Sequence, residues 1–179
     1  MTETHNKTYT IVLTGPESSG KTALATSLAK VLGCPLIPEY AREYLRTRKQ
    51  SYKLDDLVNI AEIQHEHVAT AYDKGSQFIV VDTYMWVMMI WAKIRFGQIP
   101  DRIKEMSYTT PVDLFILCTP DLPWEDDPLR EHPDHGDRLF EIYQNTLKSA
   151  EENYITVTGN LEERIQKVLE FLDFGEEKG

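Results

Sequence analysis

The stretch GPESSGKT, Gly15 to Thr22, stands between an apolar, β-branched run, TYTIVLTG (8–15), and a segment with helical spacing, KTALATSLAKVLG (21–33). It satisfies G-x-x-x-x-G-K-[ST] in the setting that gives the pattern meaning, a strand before and a helix after. The chemistry sets the spacing. Gly15 and Gly20 let backbone N–H groups of a loop made by Pro16, Glu17, Ser18 and Ser19 curl round a β-phosphate. The N-terminus of the following helix adds positive partial charge. Lys21 is then expected to reach the β- and γ-phosphate oxygens of ATP, and Thr22 to offer its hydroxyl to Mg²⁺. A glycine turn beside an exposed lysine is the plain alternative, and the strand–loop–helix setting makes it rare. The motif names a nucleotide and no reaction.

Further runs bare of polar residues, CPLIP (34–38), QFIVVD (77–82), VDLFILC (112–118) and YITVTG (154–159), read as strands. Helical patterns fill the intervals at about 39–48, 54–75, 83–97, 101–106, 139–153 and 161–174. Apolar strands alternating with helices indicate a sheet covered on both faces. The expected fold is α/β: a P-loop NTPase three-layer sandwich whose five-stranded, mostly parallel sheet carries helices on both faces and a lid. No repeat or linker divides the 179 residues, so one domain over 1–179 is expected, with a fraying tail at 175–179.

The chain has 19 basic and 29 acidic side chains and a formal charge of −10, which argues against a nucleic-acid surface. The apolar run Met85 to Trp91 is too short to span a bilayer, so no membrane partner is expected. No charged-then-apolar leader is evident, and Cys34 and Cys118 lie in apolar segments, as buried thiols of a cytoplasmic protein would. Nothing in the sequence sets an oligomeric state.

Three classes share such a loop. A GTPase-type switch needs an Asn-Lys-x-Asp guanine reader, which this sequence lacks. An oligomeric motor needs a trailing helical domain, for which there is no room. A compact small-molecule kinase remains, and needs an acceptor site, a base and a cationic lid. Asp82 ends a buried strand, where an acid either holds Mg²⁺ or caps the next helix. Glu39 falls at the end of another, beside the crevice where doubly wound sheets bind ligands. It is a candidate to deprotonate an acceptor hydroxyl; whether Glu39 or Asp82 is the base stays open. Arg42, three residues on, either holds a phosphate or makes an ordinary surface ion pair with Glu39. Tyr40, Tyr84 and Trp124 are candidates to hold a flat ligand, while Trp86 and Trp91 are expected in the core. His65 and His67 face different ways on a helix, which argues against a metal pair. The stretch DLPWEDDPLREHPDHGDR (121–138) reads as a lid whose only cations, Arg130 and Arg138, would swing onto the nucleotide.

Taken in order, GPESSGKT, EYAREYL, VDTYMWVMMIW, PWEDDPLREHP and DRLFEIY resemble the nicotinamide riboside kinase domain of the bacterial NadR proteins, and the stand-alone bacterial ATP-binding proteins grouped with it. The resemblance runs from about Tyr9 to Phe171. It implies ATP-dependent phosphorylation of the 5′-hydroxyl of nicotinamide riboside. Lys21 and Thr22 would bind ATP and Mg²⁺, with Asp82 as the strand-end acid. Glu39, Tyr40 and Arg42 would form the substrate side, and Arg130 the lid arginine. Two positions depart from that pattern: Pro38 stands where many members carry Trp, and Tyr84 where many carry Asp. A nucleoside kinase of other specificity and a non-catalytic nucleotide-dependent regulator are the alternative readings.

Overall fold

The computed structural model describes residues 7–46, 51–123 and 136–176. Among them the strands are β1 (Tyr9–Thr14), β2 (Leu36–Ile37), β3 (Phe78–Asp82), β4 (Leu114–Cys118) and β5 (Tyr154–Val157). The helices are α1 (Lys21–Leu32), α2 (Tyr40–Arg46), α3 (Leu54–Asp73), α4 (Met85–Phe96), α5 (Asp101–Ser107), α6 (Gly136–Ser149) and α7 (Leu161–Glu176). The strands form one sheet in the order β2-β3-β1-β4-β5, and all four pairings are parallel. Helix α7 runs two residues into the segment expected to fray.

The absence of polar alternation in the strands has a direct cause, because both faces of the sheet are covered. Ile11, Leu13, Val80, Leu114, Ile116 and Cys118 point to one face, where Leu24 and Leu28 of α1 and Val168 of α7 pack on them. Their neighbours Val12, Ile79, Val81, Phe115 and Leu117 point to the other, against Leu57 and Ile60 of α3 and Met88 of α4. Both cysteines are free thiols. No helix among the described residues is long and apolar enough to cross a membrane.

Helix boundaries follow local chemistry. Gly33 ends α1 in the left-handed conformation (φ 61°), and the Cys34 N–H returns to Ala29 O at 3.0 Å, closing the last turn. Asp56 caps the start of α3 by accepting the Lys53 N–H at 2.8 Å. With β1 central and flanked by β3 and β4, the loops leaving the three strands meet at one edge of the sheet. Doubly wound sheets bind their ligands in such a crevice.

Candidate active site

The loop that leaves β1 is seated on β4. A Cβ on Gly15 would stand 2.6 Å from the Cys118 carbonyl oxygen, and Gly15 adopts φ 132°, a conformation closed to L side chains. Gly15→Ala is therefore expected to cost about 1–3 kcal/mol of stability, read as a lowered melting temperature, and to weaken nucleotide affinity. Inside the loop, the buried Ser19 hydroxyl donates to Pro16 O at 2.8 Å and braces the turn. The Lys21 ammonium donates to Gly15 O at 3.0 Å and Pro16 O at 2.6 Å. Both acceptors are neutral carbonyls, weaker partners than phosphate oxygens, so the ammonium is ready to exchange them.

At the next strand end, the Thr22 hydroxyl donates to Asp82 Oδ2 at 2.6 Å. Asp82 is almost fully buried, and its other oxygen, Oδ1, has no hydrogen-bond partner. An orphaned buried carboxylate oxygen beside a threonine hydroxyl is the donor set a hard divalent cation takes, so these two residues fit Mg²⁺. Among the described residues no group of three or more His, Cys, Asp or Glu is placed to hold a metal alone. Such a cation would therefore arrive with the phosphates of a nucleotide. Burial raises the Asp82 pKa above the usual carboxylate range, against the Thr22 hydrogen bond and the charges of Lys21 and Arg42. The residue after it, Thr83, is buried with φ 65°, an uncommon left-handed conformation for a β-branched residue. Its strain sits where β3 hands over to the site.

Glu39 precedes α2 and faces the same cleft. Its side chain is 13% exposed, and Arg42 Nε lies 3.7 Å from its carboxylate. Burial raises the Glu39 pKa first and the neighbouring Asp82 charge second, while Lys21 and Arg42 pull it down. Gln64 of α3, fully buried, ties the two acids' elements together. Its side-chain oxygen accepts the Tyr40 N–H at 2.9 Å, and its amide donates to Thr83 O at 3.4 Å. No motif singled out Gln64; its only sequence signal is an amide on the apolar stripe of a long helix.

The cleft, about 660 Å³ with its mouth, is lined by Glu17, Ser18, Ser19, Gly20, Lys21 and Thr22 of the loop and by Glu39, Ala41, Arg42, Leu45 and Trp91. Trp91 was expected in the core. It is half-buried on α4, packs against the core cluster on one side and lines the cleft on the other. The sequence also offered Tyr84 and Tyr40 as ligand contacts, and neither lines this cleft. Tyr84 is buried, its hydroxyl 2.7 Å from His65 Nδ1, because a buried phenol needs a polar partner and α3 supplies one. Tyr40 packs on Tyr44 and on the edge of His67, with ring centroids 6.0 and 5.8 Å away. Arg138 is exposed on α6, outside the cleft lining. Trp124, Arg130 and most of the expected lid lie outside the described residues.

Comparison with known proteins agrees with this architecture. The chain is 26% identical over 151 residues to the trifunctional NAD biosynthesis/regulator protein NadR of Escherichia coli (strain K12). That match covers 82% of this chain and 36% of the relative, so the chain spans about a third of the curated protein's length. A crystal structure of NadR protein in complex with NR superposes with a TM-score of 0.75 at 20% identity, covering 87% of this chain and 47% of that one. Thymidylate kinase from Ehrlichia chaffeensis gives 0.68 at 14% identity, covering 92% and 98%. Both likenesses are of fold. Residues 10–164 match the AAA_28 family, described as an AAA domain, and the chain belongs to that family.

Proposed function

We propose that the chain is an ATP- and Mg²⁺-dependent kinase that phosphorylates the 5′-hydroxyl of nicotinamide riboside, giving nicotinamide mononucleotide. One observation carries the reading: Glu39 and Arg42 line the same cleft as Lys21, Thr22 and the rest of the phosphate cradle. The likeness to NadR, whose printed description is of NAD biosynthesis, supports the choice of acceptor.

In this reading the cradle amides and Lys21 hold the β- and γ-phosphates, and Thr22 and Asp82 hold Mg²⁺, which neutralises charge on the transferring group. Glu39, whose pKa burial raises above that of a free glutamate, accepts the proton of the 5′-hydroxyl. The freed oxygen bonds to the γ-phosphorus as the bond to the departing ADP oxygen breaks. Arg42 balances the charge beside Glu39, and the Trp91 ring covers the acceptor's flat base.

Incubation with ATP, Mg²⁺ and a nucleoside panel, read by mass spectrometry, tests this directly. Nicotinamide mononucleotide is the expected product, and no 5′-monophosphate from any nucleoside would overturn the proposal. Product from another nucleoside alone would favour a kinase of different specificity. One observation favours that second reading: Pro38 is exposed and Tyr84 is turned into the core, so the acceptor side lacks two groups of the NadR-like pattern. Trp91→Ala is expected to raise the acceptor KM by roughly tenfold and leave the ATP KM within about twofold, as loss of a ring contact would.

A further inference from the structure

Arg164 of α7 is 1% exposed, and its guanidinium joins four segments of chain. Nε donates to Gly159 O at 2.9 Å, one terminal nitrogen donates to Ser19 O, and the other donates to Thr119 O at 3.3 Å and pairs with Asp121. Asp121 is itself saturated, accepting the Thr158 hydroxyl and Gly159 N–H at 2.6 Å each and the Thr119 hydroxyl at 2.7 Å. Burial opposes its ionisation, yet these donors and Arg164 together hold it far below the usual carboxylate range. A buried guanidinium needs a paired charge and hydrogen-bond acceptors, and here each of its three nitrogens has an acceptor and one of them pairs with Asp121.

The bond to Ser19 has a consequence for the cradle. A trans peptide unit points its C=O and N–H in opposite directions. Holding Ser19 O toward α7 turns the N–H of the same unit, that of Gly20, to the opposite side, and Gly20 lines the cleft. The unit runs into Gly20 at φ 78°, and Ser18, one residue before it, stands at φ 57°. Glycine adopts either sign of φ at little cost, so the residue that permits the cradle also permits the peptide to turn over. The guanidinium lies against it, 3.4 Å from the place a Gly20 Cβ would occupy. A charge-assisted bond on the carbonyl also polarises the unit and makes its N–H a stronger donor.

We propose that Arg164, held by Asp121, is a positioning residue that locks the Ser19–Gly20 peptide with its N–H facing the phosphates; this rests on reading the loop as a nucleotide cradle. Lysine would keep the charge and lose the fork that reaches four acceptors. Binding of Mg²⁺-ADP to wild type, Arg164→Lys and Asp121→Asn, measured by calorimetry below each melting temperature, provides the test. Arg164→Lys is expected to weaken Mg²⁺-ADP by roughly ten- to thirtyfold, and Asp121→Asn by roughly three- to tenfold, as loss of a buried charged hydrogen bond does. Acceptor KM should stay within about twofold, and amide exchange at residues 19–21 should quicken, because the defect is confined to the cradle. Unchanged Mg²⁺-ADP affinity, or equal losses for nucleotide and acceptor, would overturn the proposal. If Arg164→Lys does not fold, Asp121→Asn carries the same comparison. If wild type binds Mg²⁺-ADP but phosphorylates no nucleoside, the kinase reading fails while ADP affinity and amide exchange still decide this one.

Discussion

Lys21→Ala is expected to lower turnover by at least about a hundredfold while leaving far-UV circular dichroism and melting temperature near wild type. The two halves of that result have separate causes. The ammonium's hydrogen bonds go to the neutral carbonyls of Gly15 and Pro16, and Lys21 lines an open cleft, so its removal opens no core cavity. The two acids near it can take up protons in its place. In transfer, charge spreads over the γ-phosphoryl oxygens, and a fixed cation in the cradle stabilises it more than the ground state. The substitution also acts at a distance. Lys21 pulls down the pKa values of both Asp82 and Glu39, so without it both rise further. The acid limb of any residual activity should therefore move to higher pH. A variant with wild-type rate would sink the assignment of the loop.

Glu39→Gln is expected to cut turnover by roughly 10²–10⁴-fold, the range a positioned base supplies. Its stability should move the other way. Burial raises the folded-state pKa of Glu39 above the ordinary 4.5, so the folded protein holds this proton more tightly than the unfolded chain does. From that ordinary value up to the raised one, stability falls as pH rises, and above it the full cost of an ionised, buried side chain remains. Glutamine removes the cost, and the half-buried Arg42 loses a 3.7 Å ion pair with it. At neutral pH the variant should melt at or above the wild-type temperature. A variant that loses both rate and stability would mark Glu39 as structural. Wild-type activity should fall on acidification through the raised Glu39 pKa, above the range of a free glutamate.

The architecture was legible because each strand is a short apolar run and each interval carries helical spacing, a consequence of a sheet buried on both sides. GPESSGKT placed the cradle, and the strand-end positions of Glu39 and Asp82 placed two acids at its rim. Trp91 was not legible, because α4 reads MWVMMIW and an apolar pattern on every side does not say which ring meets a cleft. Tyr84 was read as a ligand contact because a ring can hold a flat ligand, but its ring is buried and its hydroxyl meets His65. Arg164 was hidden among the charges of LEERIQKV. Its spacing of four from Val168 was the available signal, since it puts a cation on the buried stripe of α7. What that cation holds depends on loops from three other parts of the chain, which no local pattern encodes.

The central place of β1 also constrains the order in which the protein can be assembled. Its partners are β3, whose pairing residues begin about seventy positions later, and β4, whose pairing residues begin about a hundred later. The loop of Gly15 is seated on the Cys118 backbone at the far end of β4. As the chain leaves the ribosome, the phosphate-binding motif therefore emerges well before β4 and has no seat until β4 has followed it. Loop closure over such separations is slow, as in other folds dominated by non-local parallel pairing. A nascent chain ending before β4 should accordingly carry the whole motif and retain no nucleotide.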